Sequence, residues 1–206
     1  MVAQVEKPVQ VGESAASAEK KLYSPEEYLE MEVLSEERHE YRDGEIVLMT
    51  GAMPNHNRIT RNLCTAMTLG LRGKSCEVFV ADQRLWIPKK RLHTYPDVMV
   101  IDGKLQFQKG RKDTVTNPLL IVEVLSNSTA EYDRGDKFLA YRSIPGFQEY
   151  LLVSQYGQQI EHYVKRSEKK WDFQSYDGTD TVVRLETVGV EMAIADIYDK
   201  VEFKVR

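Results

Sequence analysis

The chain has little cysteine and no long apolar segment. Cys64 and Cys76 are its only cysteines, too few for a disulfide framework, and no Cys-x-x-Cys pair indicates a zinc or redox site. No stretch approaches the roughly 18 apolar residues of a membrane span, and the first residues have no apolar signal-peptide core. These features predict a cytoplasmic protein with no membrane partner.

The chain also lacks an excess of positive charge. Its 28 basic and 32 acidic residues give a net charge of -4, which excludes polycations of the histone type. The charge is uneven, because residues 56–112 carry 12 basic and 4 acidic groups, whereas residues 1–55 carry 5 and 12. A basic middle is compatible with one phosphate-facing surface, but its short basic clusters are equally compatible with solvated loops.

Length and composition are typical of one folded domain. With 42% hydrophobic and 29% charged residues, the chain is foldable rather than disordered. Its 206 residues suffice for one domain of ordinary size. Residues 1–21 are polar and rich in small side chains, so we expect a flexible leader there and a single domain over residues 22–206.

Helix signals occur at four places in the sequence. A serine followed by a proline predicts a helix over 24–35. Asn55 is expected to cap a second helix, which Gly73 closes. Helical spacing returns over 133–143, and a short helix is expected near 192–198.

Strand patterns occupy most of the remaining chain. An Asp-Gly pair predicts a hairpin between 38–41 and 45–49, and a second hairpin is expected between 159–165 and 171–176. Four further runs read as strands: 77–87, 95–101, 119–125 and 149–153. The order of these elements predicts a single α/β domain with a mixed central sheet flanked by helices.

One predicted strand contains a carboxylate where burial is costly. Glu123 is the one charged residue of the run 119–125, so it must be protonated, paired or bound to a cation. Asp97 follows Pro96 at the start of another apolar strand, and two carboxylates on adjacent strands suit Mg²⁺. Two alternatives stay open: Asp97 could cap the turn after Pro96, and Glu123 could pair with an arginine such as Arg134.

Several motifs resemble known nucleases. Pro96-Asp97, followed 26 residues later by Glu123, resembles the Pro-Asp...(Asp/Glu)-x-Lys nuclease superfamily. More closely, the sequence from about Leu22 to Asp199 resembles the Uma family of endonucleases. The residues that carry this resemblance are Glu40-Tyr41-Arg42-Asp43-Gly44-Glu45-Ile46, Met49, His56, Tyr95-Pro96-Asp97-Val98, Val122-Glu123-Val124-Leu125-Ser126, Ser128-Thr129, Asp133, Lys137 and Tyr141.

The resemblance implies a fold, an activity and a cofactor. The fold is restriction-endonuclease-like, and the activity is Mg²⁺-dependent (or Mn²⁺-dependent) hydrolysis of DNA phosphodiester bonds through a metal-activated water. In such folds Asp97, Glu123 and the carbonyl of Val124 hold the metal. The resemblance also implies a homodimer, because relatives often pair to cut both DNA strands.

The catalytic lysine is the point at which the sequence departs from the superfamily. The pattern expects lysine two positions after Glu123, where this chain has Leu125. The nearest substitute is Lys137 on the following helix, which matches the relocated lysine of the Uma family. The alternative is an exposed helix lysine paired with Asp133 four residues earlier.

The resemblance extends to one further acid. Glu40 would be a third acidic ligand or would orient the attacking water. Its alternative is an ordinary ion pair with Arg38 or Arg42.

Five basic residues are candidates for contacts with DNA phosphates: His56, Arg84, Lys89, Lys90 and Arg91. His56 could instead seal the turn before the second helix, and Arg84 could lie on an exposed strand face. A rival to the enzyme is a catalytically degenerate nucleic-acid-binding or protein-interaction module on a nuclease fold, because fold does not fix function. A hydrolase acting on another phosphoester is the third possibility.

Overall fold

The computed structural model describes residues 21–178 and 181–203, which form five α-helices, thirteen strands and two short helical segments of other types. The predicted leader, residues 1–21, lies outside the described residues except for Lys21. The α-helices are α1 (Pro25–Leu34), α2 (Pro54–Gly70), α3 (Ala130–Tyr132), α4 (Phe138–Tyr141) and α5 (Ile194–Ile197). A π-helical turn, Asp133–Lys137, joins α3 to α4, and Pro88–Lys90 is a 3-10 turn.

The strands are β1 (His39–Arg42), β2 (Glu45–Leu48), β3 (Cys76–Val80), β4 (Arg84–Ile87), β5 (Leu92–Thr94), β6 (Val98–Asp102), β7 (Thr114–Val115), β8 (Leu120–Leu125), β9 (Glu149–Ser154), β10 (Gln159–Ser167), β11 (Lys170–Asp177), β12 (Val182–Leu185) and β13 (Val190–Ala193). The main sheet has the order β11-β10-β9-β8-β6-β3, a second sheet has the order β2-β1-β5-β4-β7, and β12 pairs with β13. The predicted mixed sheet is confirmed, since β8 and β9 run parallel while the other neighbours in the main sheet are antiparallel.

The central strand β8 is buried on both faces, as its apolar run predicts. Val122 and Val124 pack on the side of the sheet that α2 covers. Ile121 and Leu125 pack on the opposite side, with α4. Because side chains alternate along a strand, Glu123 belongs to the α4 side.

The first helix and the first hairpin follow their local sequence signals. The Ser24 hydroxyl accepts a hydrogen bond from the Glu27 N–H at 3.1 Å, and the Ser24 N–H donates to the Glu27 carboxylate at 2.7 Å, which makes a reciprocal capping box. Asp43 and Gly44 both have positive φ, 45° and 104°, as a tight hairpin turn requires. The hairpin positions the β1 side chains on which the candidate site depends.

Three local predictions were wrong, one of them the end of α2, whose C-cap is Leu71 rather than Gly73. The run 77–87 is two strands in different sheets, because the chain turns at Ala81, whose φ is 29°, and β3 and β4 then pair with different neighbours. Met53, rather than Asn55, is the N-cap of α2. The Asn55 amide instead donates to the Glu202 carbonyl at 2.8 Å.

A buried carboxylate fixes the last part of the chain to the main sheet. Glu149 has no exposed surface and accepts hydrogen bonds from the N–H groups of Glu186, at 2.8 Å, and Thr187, at 3.0 Å. The His162 ring nitrogen lies 2.7 Å from the same carboxylate. The turn between β12 and β13 is thereby anchored to β9 and β10.

No helix in the described part of the chain has the length and apolar character needed to cross a membrane.

Candidate active site

Four separate elements bring charged side chains to one buried cluster. Glu40 lies on β1, Asp97 directly before β6, Glu123 on β8 and Lys137 in the π-helical turn. All except Asp97 are less than a tenth exposed, and the Asp97 side chain is 19% exposed. The cluster is therefore closed toward the sheet and opens to solvent at Asp97.

Lys137 is the centre of the cluster. Its ammonium nitrogen lies 3.0 Å from Glu123 Oε1, 3.4 Å from Asp133 Oδ1 and 3.5 Å from Glu40 Oε1. The ammonium group therefore forms ion pairs with three carboxylates, although Asp133 Oδ1 has no hydrogen-bond partner. Lys137 is thus not the exposed helix lysine of the alternative interpretation, although its ion pair with Asp133 does form.

Asp97 and Glu123 are linked through main-chain groups of adjacent strands. Val98 and Val122 are paired in the register of β6 and β8. Directly beyond that pair, the Val124 N–H donates to Asp97 Oδ2 at 2.7 Å, and the Asp97 N–H approaches Glu123 Oε2 at 3.4 Å. Asp97 and Glu123 therefore lie on neighbouring segments at the end of the β6–β8 pairing. The Arg134 alternative is wrong, since Arg134 pairs with Glu161 at 2.6 Å.

Glu40 is held by three partners. Arg42 donates to Glu40 Oε2 from Nε, at 2.8 Å, and from Nη2, at 2.5 Å. The Thr94 hydroxyl donates to the other oxygen, Oε1, which also faces Lys137. Burial acts to raise the pKa of Glu40, but Lys137 and Arg42 offset this effect, and the pKa lies below its usual range. Glu40 therefore forms the ion pair with Arg42 and also lies in the buried cluster.

His56 approaches the cluster from the first turn of α2. Its Nε2 lies 3.2 Å from Asp97 Oδ2, and its side chain is 16% exposed. The Thr60 hydroxyl lies 3.5 Å from the other ring nitrogen, Nδ1. Burial acts to lower the pKa of His56, but the carboxylate of Asp97 raises it above its ordinary value. His56 belongs to the same cluster as Asp97 rather than to an outer surface.

Negative charge exceeds positive charge within this buried cluster. Its acids are Glu40, Asp97, Glu123 and Asp133, and its bases are Lys137, Arg42 and His56, of which the histidine is charged only when protonated. Burial raises the pKa of Glu123 to about 8, despite the opposing effect of Lys137. Uncompensated buried charge is costly, so a proton or an additional cation is favoured here.

The π-helical turn places two of these residues on the same side. Asp133 and Lys137 are the first and last residues of the turn, and both side chains point into the cluster. Single π-helical turns within α-helices are frequent at functional sites. Asp133 was not among the predicted site residues, although its spacing of four from Lys137 was the available signal.

Two of the carboxylates in the cluster can serve as ligands of a divalent cation. Among residues 21–178 and 181–203, no three His, Cys, Asp or Glu side chains are arranged as a ready metal cluster. Asp97 and Glu123 can supply two carboxylate oxygens, and the Val124 carbonyl lies on the same strand as Glu123. Mg²⁺ commonly binds through one or two carboxylates and keeps several waters, so the partly exposed Asp97 beside the buried Glu123 fits its chemistry.

The other candidate DNA contacts lie beside the hairpin that carries Glu40. Lys89 and Lys90 are exposed in the 3-10 turn. Arg91 follows them, and its carbonyl accepts a hydrogen bond from the Asp43 N–H at 2.9 Å. The Arg91 side chain donates to Asp43 Oδ1 at 2.7 Å and to the Tyr41 hydroxyl at 2.8 Å. Lys89 and Lys90 are therefore available to a ligand, while Arg91 already has two partners.

Arg84 requires a correction. Its side chain is only 9% exposed, and its Nε donates to the Tyr95 hydroxyl at 2.9 Å. Its guanidinium also lies 3.8 Å from Asp113. Neither a phosphate contact nor the alternative of an exposed strand face is compatible with this burial.

Comparison with known proteins identifies relatives over most of the chain. The family model "Uma2: Putative restriction endonuclease" matches residues 25–195. The uncharacterized protein sll1609 of Synechocystis sp. is 44% identical over 151 residues, covering 73% of this chain and 85% of that protein. The uncharacterized protein slr1290 of the same organism is 39% identical over 182 residues, covering 87% and 93%.

A solved structure shares the fold. The crystal structure of "a putative nuclease belonging to DUF820" from Anabaena variabilis superposes with a TM-score of 0.68 at 17% identity, covering 85% of this chain and 97% of that one. This likeness confirms the predicted restriction-endonuclease-like α/β architecture.

Proposed function

This chain belongs to the Uma2 family, described as "Putative restriction endonuclease", and we propose that it is a Mg²⁺-dependent endonuclease that hydrolyses DNA phosphodiester bonds. The observation that carries the proposal is the arrangement of Asp97, Glu123 and Lys137. The N–H of Val124, the residue after Glu123, donates to the Asp97 carboxylate from the adjacent strand, and a buried ammonium group lies 3.0 Å from Glu123. Phosphodiester hydrolysis needs this combination of a cation site and a positive hydrogen-bond donor.

The residues of the cluster would have different roles in the reaction. Asp97, Glu123 and the Val124 carbonyl would hold Mg²⁺ (or Mn²⁺) at the open edge of the cluster. The bound cation would lower the pKa of a coordinated water and neutralise charge on the phosphate. Lys137 would donate a hydrogen bond to the attacking water and offset the charge that develops on the phosphate oxygens.

Glu40 and Asp133 keep the Lys137 ammonium in place. Both carboxylates lie within 3.5 Å of its nitrogen, so the nitrogen cannot move far without losing an ion pair. Glu40 is itself fixed by Arg42 and Thr94. We therefore assign Glu40 to orienting the water through Lys137 rather than to binding the metal directly.

DNA would approach from the side of the β1–β2 hairpin. His56 lies at the open edge beside Asp97, and Lys89 and Lys90 are exposed next to the hairpin that carries Glu40 and Arg42. Lysine side chains along such an approach would contact phosphates without reading the DNA sequence. The buried Arg84 is left out of this surface.

Plasmid cleavage tests the proposal. Supercoiled DNA with Mg²⁺ or Mn²⁺ should be nicked by the wild type, and EDTA should stop the reaction. Asp97→Asn and Glu123→Gln, which keep side-chain size, should each lower the rate by about 100-fold or more, because each removes a charged metal ligand. Glu77→Gln, an exposed carboxylate on β3, is the matched control and should cleave normally.

Two results would contradict the proposal. One is the absence of metal-dependent cleavage on supercoiled, linear and single-stranded DNA. The other is undiminished cleavage by both Asp97→Asn and Glu123→Gln. A DNA gel shift that survives EDTA and both substitutions, without any cleavage, would instead support the binding-module alternative.

The proposal includes a cytoplasmic homodimer, in which each copy of the site would cut one strand of the duplex. Sedimentation velocity with and without duplex DNA should show a dimer. A species that remains monomeric in both conditions would contradict this part of the proposal.

A further inference from the structure

The Tyr141 hydroxyl is hydrogen-bonded to the same carboxylate oxygen of Glu123 that Lys137 contacts. The Tyr141 hydroxyl donates to Glu123 Oε1 at 2.6 Å, and the Lys137 nitrogen lies 3.0 Å from that atom. The tyrosine side chain has no exposed surface. The other carboxylate oxygen, Oε2, is the one that faces the main chain of Asp97.

This pair of donors restricts the rotation of the Glu123 carboxyl group. Turning the carboxyl group out of its observed plane would lengthen both contacts. The tyrosine ring is itself confined by Tyr150 and Phe147, whose ring centroids lie 5.5 and 5.7 Å away. The donor to Oε1 therefore cannot easily follow a moving carboxylate.

We propose that Tyr141 is a positioning residue that directs Glu123 Oε2 toward the cation held with Asp97, and so sets the affinity of the site for divalent metal. The inference rests on the proposed function, because it concerns the same cation. Partners that orient a metal ligand typically change metal affinity or activity by about 10–100-fold when they are removed.

A purely structural role for Tyr141 would have different consequences. A hydroxyl that only satisfied a buried carboxylate could be removed with a loss of folding stability, and the folded molecules would bind metal as before. A positioning role predicts a weaker metal affinity in molecules that are fully folded. Metal binding and the metal dependence of cleavage thus separate the two roles.

The test is calorimetric titration of the full chain with Mn²⁺, at a temperature at which circular dichroism shows every variant folded. Tyr141→Phe should raise the Mn²⁺ dissociation constant by about 10-fold or more. The Mn²⁺ concentration for half-maximal cleavage should rise equally, while kcat at saturating Mn²⁺ and KM for DNA stay unchanged. Tyr141→Met, which also lacks the hydroxyl, replaces Tyr141→Phe if the latter does not fold.

Tyr198→Phe is the matched control. Tyr198 is 4% exposed, and its hydroxyl lies 3.0 Å from the Ser154 carbonyl and 2.9 Å from the Gln159 carbonyl, in a different part of the fold. This variant also loses a buried hydroxyl but should bind Mn²⁺ like the wild type. Equal losses of affinity in Tyr198→Phe and Tyr141→Phe would overturn the inference.

The remaining outcomes distinguish the inference from the proposal beneath it. If the wild type binds Mn²⁺ and Asp97→Asn does not, but Tyr141→Phe binds as tightly as the wild type, the role of Tyr141 is overturned and the metal site stands. If the wild type itself binds no Mn²⁺, the metal site of the proposed function fails and the role of Tyr141 fails with it.

Discussion

The ammonium nitrogen of Lys137 lies 3.0 Å from Glu123 Oε1. Two further carboxylates, those of Asp133 and Glu40, lie within 3.5 Å of the same nitrogen. Three buried acids therefore share one positive charge. The contacts that would prepare the site for chemistry also contribute to holding β1, β8 and the π-helical turn together.

Replacing Lys137 should destabilise the fold. Lys137→Met keeps an unbranched side chain of similar length but leaves the buried carboxylates without their shared cation. Breaking a buried ion pair by removing one partner costs about 3–5 kcal/mol, so the free energy of unfolding in urea should fall by about that amount. Lys90→Met, at an exposed position, should change it by less than about 0.5 kcal/mol. Equal stabilities for the two variants would contradict the central role of Lys137.

The buried carboxylate of Glu149, which is not part of the candidate site, predicts a second stability effect. Glu149→Gln removes the charge that accepts hydrogen bonds from the N–H groups of Glu186 and Thr187. We expect a loss of about 3 kcal/mol in urea unfolding, because hydrogen bonds to charged groups are worth about 1.5–3 kcal/mol each. Glu191→Gln, whose side chain is 57% exposed, is the control and should be nearly neutral. A larger loss of stability in Glu191→Gln than in Glu149→Gln would show that Glu149 does not anchor the β12–β13 turn.

His93 predicts a pH dependence of stability. Burial lowers the pKa of His93 to about 4, whereas an unfolded histidine titrates near 6.5. As pH falls from about 6.5 to about 4, the unfolded chain binds a proton that the folded ring does not, so His93 lowers the stability, by on the order of 3 kcal/mol. His93→Phe keeps an aromatic ring against Trp86, 4.0 Å away, but cannot titrate. Its unfolding free energy should therefore fall less steeply over this pH range, and parallel curves would refute the assignment.

The exposed lysines beside the first hairpin predict a change in DNA affinity. Lys89→Ala with Lys90→Ala should weaken binding to duplexes of any sequence and reduce the salt dependence by about one unit for each lost phosphate contact. Lys169→Ala with Lys170→Ala, at the tip of the β10–β11 hairpin, is the control with the same charge change. Fluorescence anisotropy in EDTA at several salt concentrations measures the DNA affinity and its salt dependence for each double variant. Unaltered binding by the first double variant would exclude this surface from the DNA contacts.

The candidate site can be recognised in the sequence because it includes a charged residue within an apolar strand, where burial of a charge is costly. Glu123 is conspicuous within an apolar strand, and the structure gives it a buried lysine as partner. Asp97 and Glu123 can be placed together because neighbouring strands carry them. The position of Lys137 follows from the resemblance to the Uma family rather than from helix spacing.

The sequence could not predict features that depend on distant partners. Arg84 is buried because Tyr95 and Asp113 provide its partners, and nothing local indicates that they meet. Thr94 reaches Glu40 only because β5 pairs with β1. The run 77–87 contains the apolar and β-branched residues typical of a strand, and its division at Ala81 depends on which sheets its two halves join.

The π-helical turn makes the candidate site depend on the number of residues between Asp133 and Lys137. Such a turn holds one residue more than the α-helical turn it replaces, and each residue of an α-helix advances it by roughly 100°. Loss of Gly135 would therefore shorten the spacing of Asp133 and Lys137 from four residues to three and change their orientation relative to each other, even though an added Cβ at Gly135 meets no atom within 4 Å. At this position a change of side chain should be harmless, whereas a deletion of one codon should dismantle the cluster.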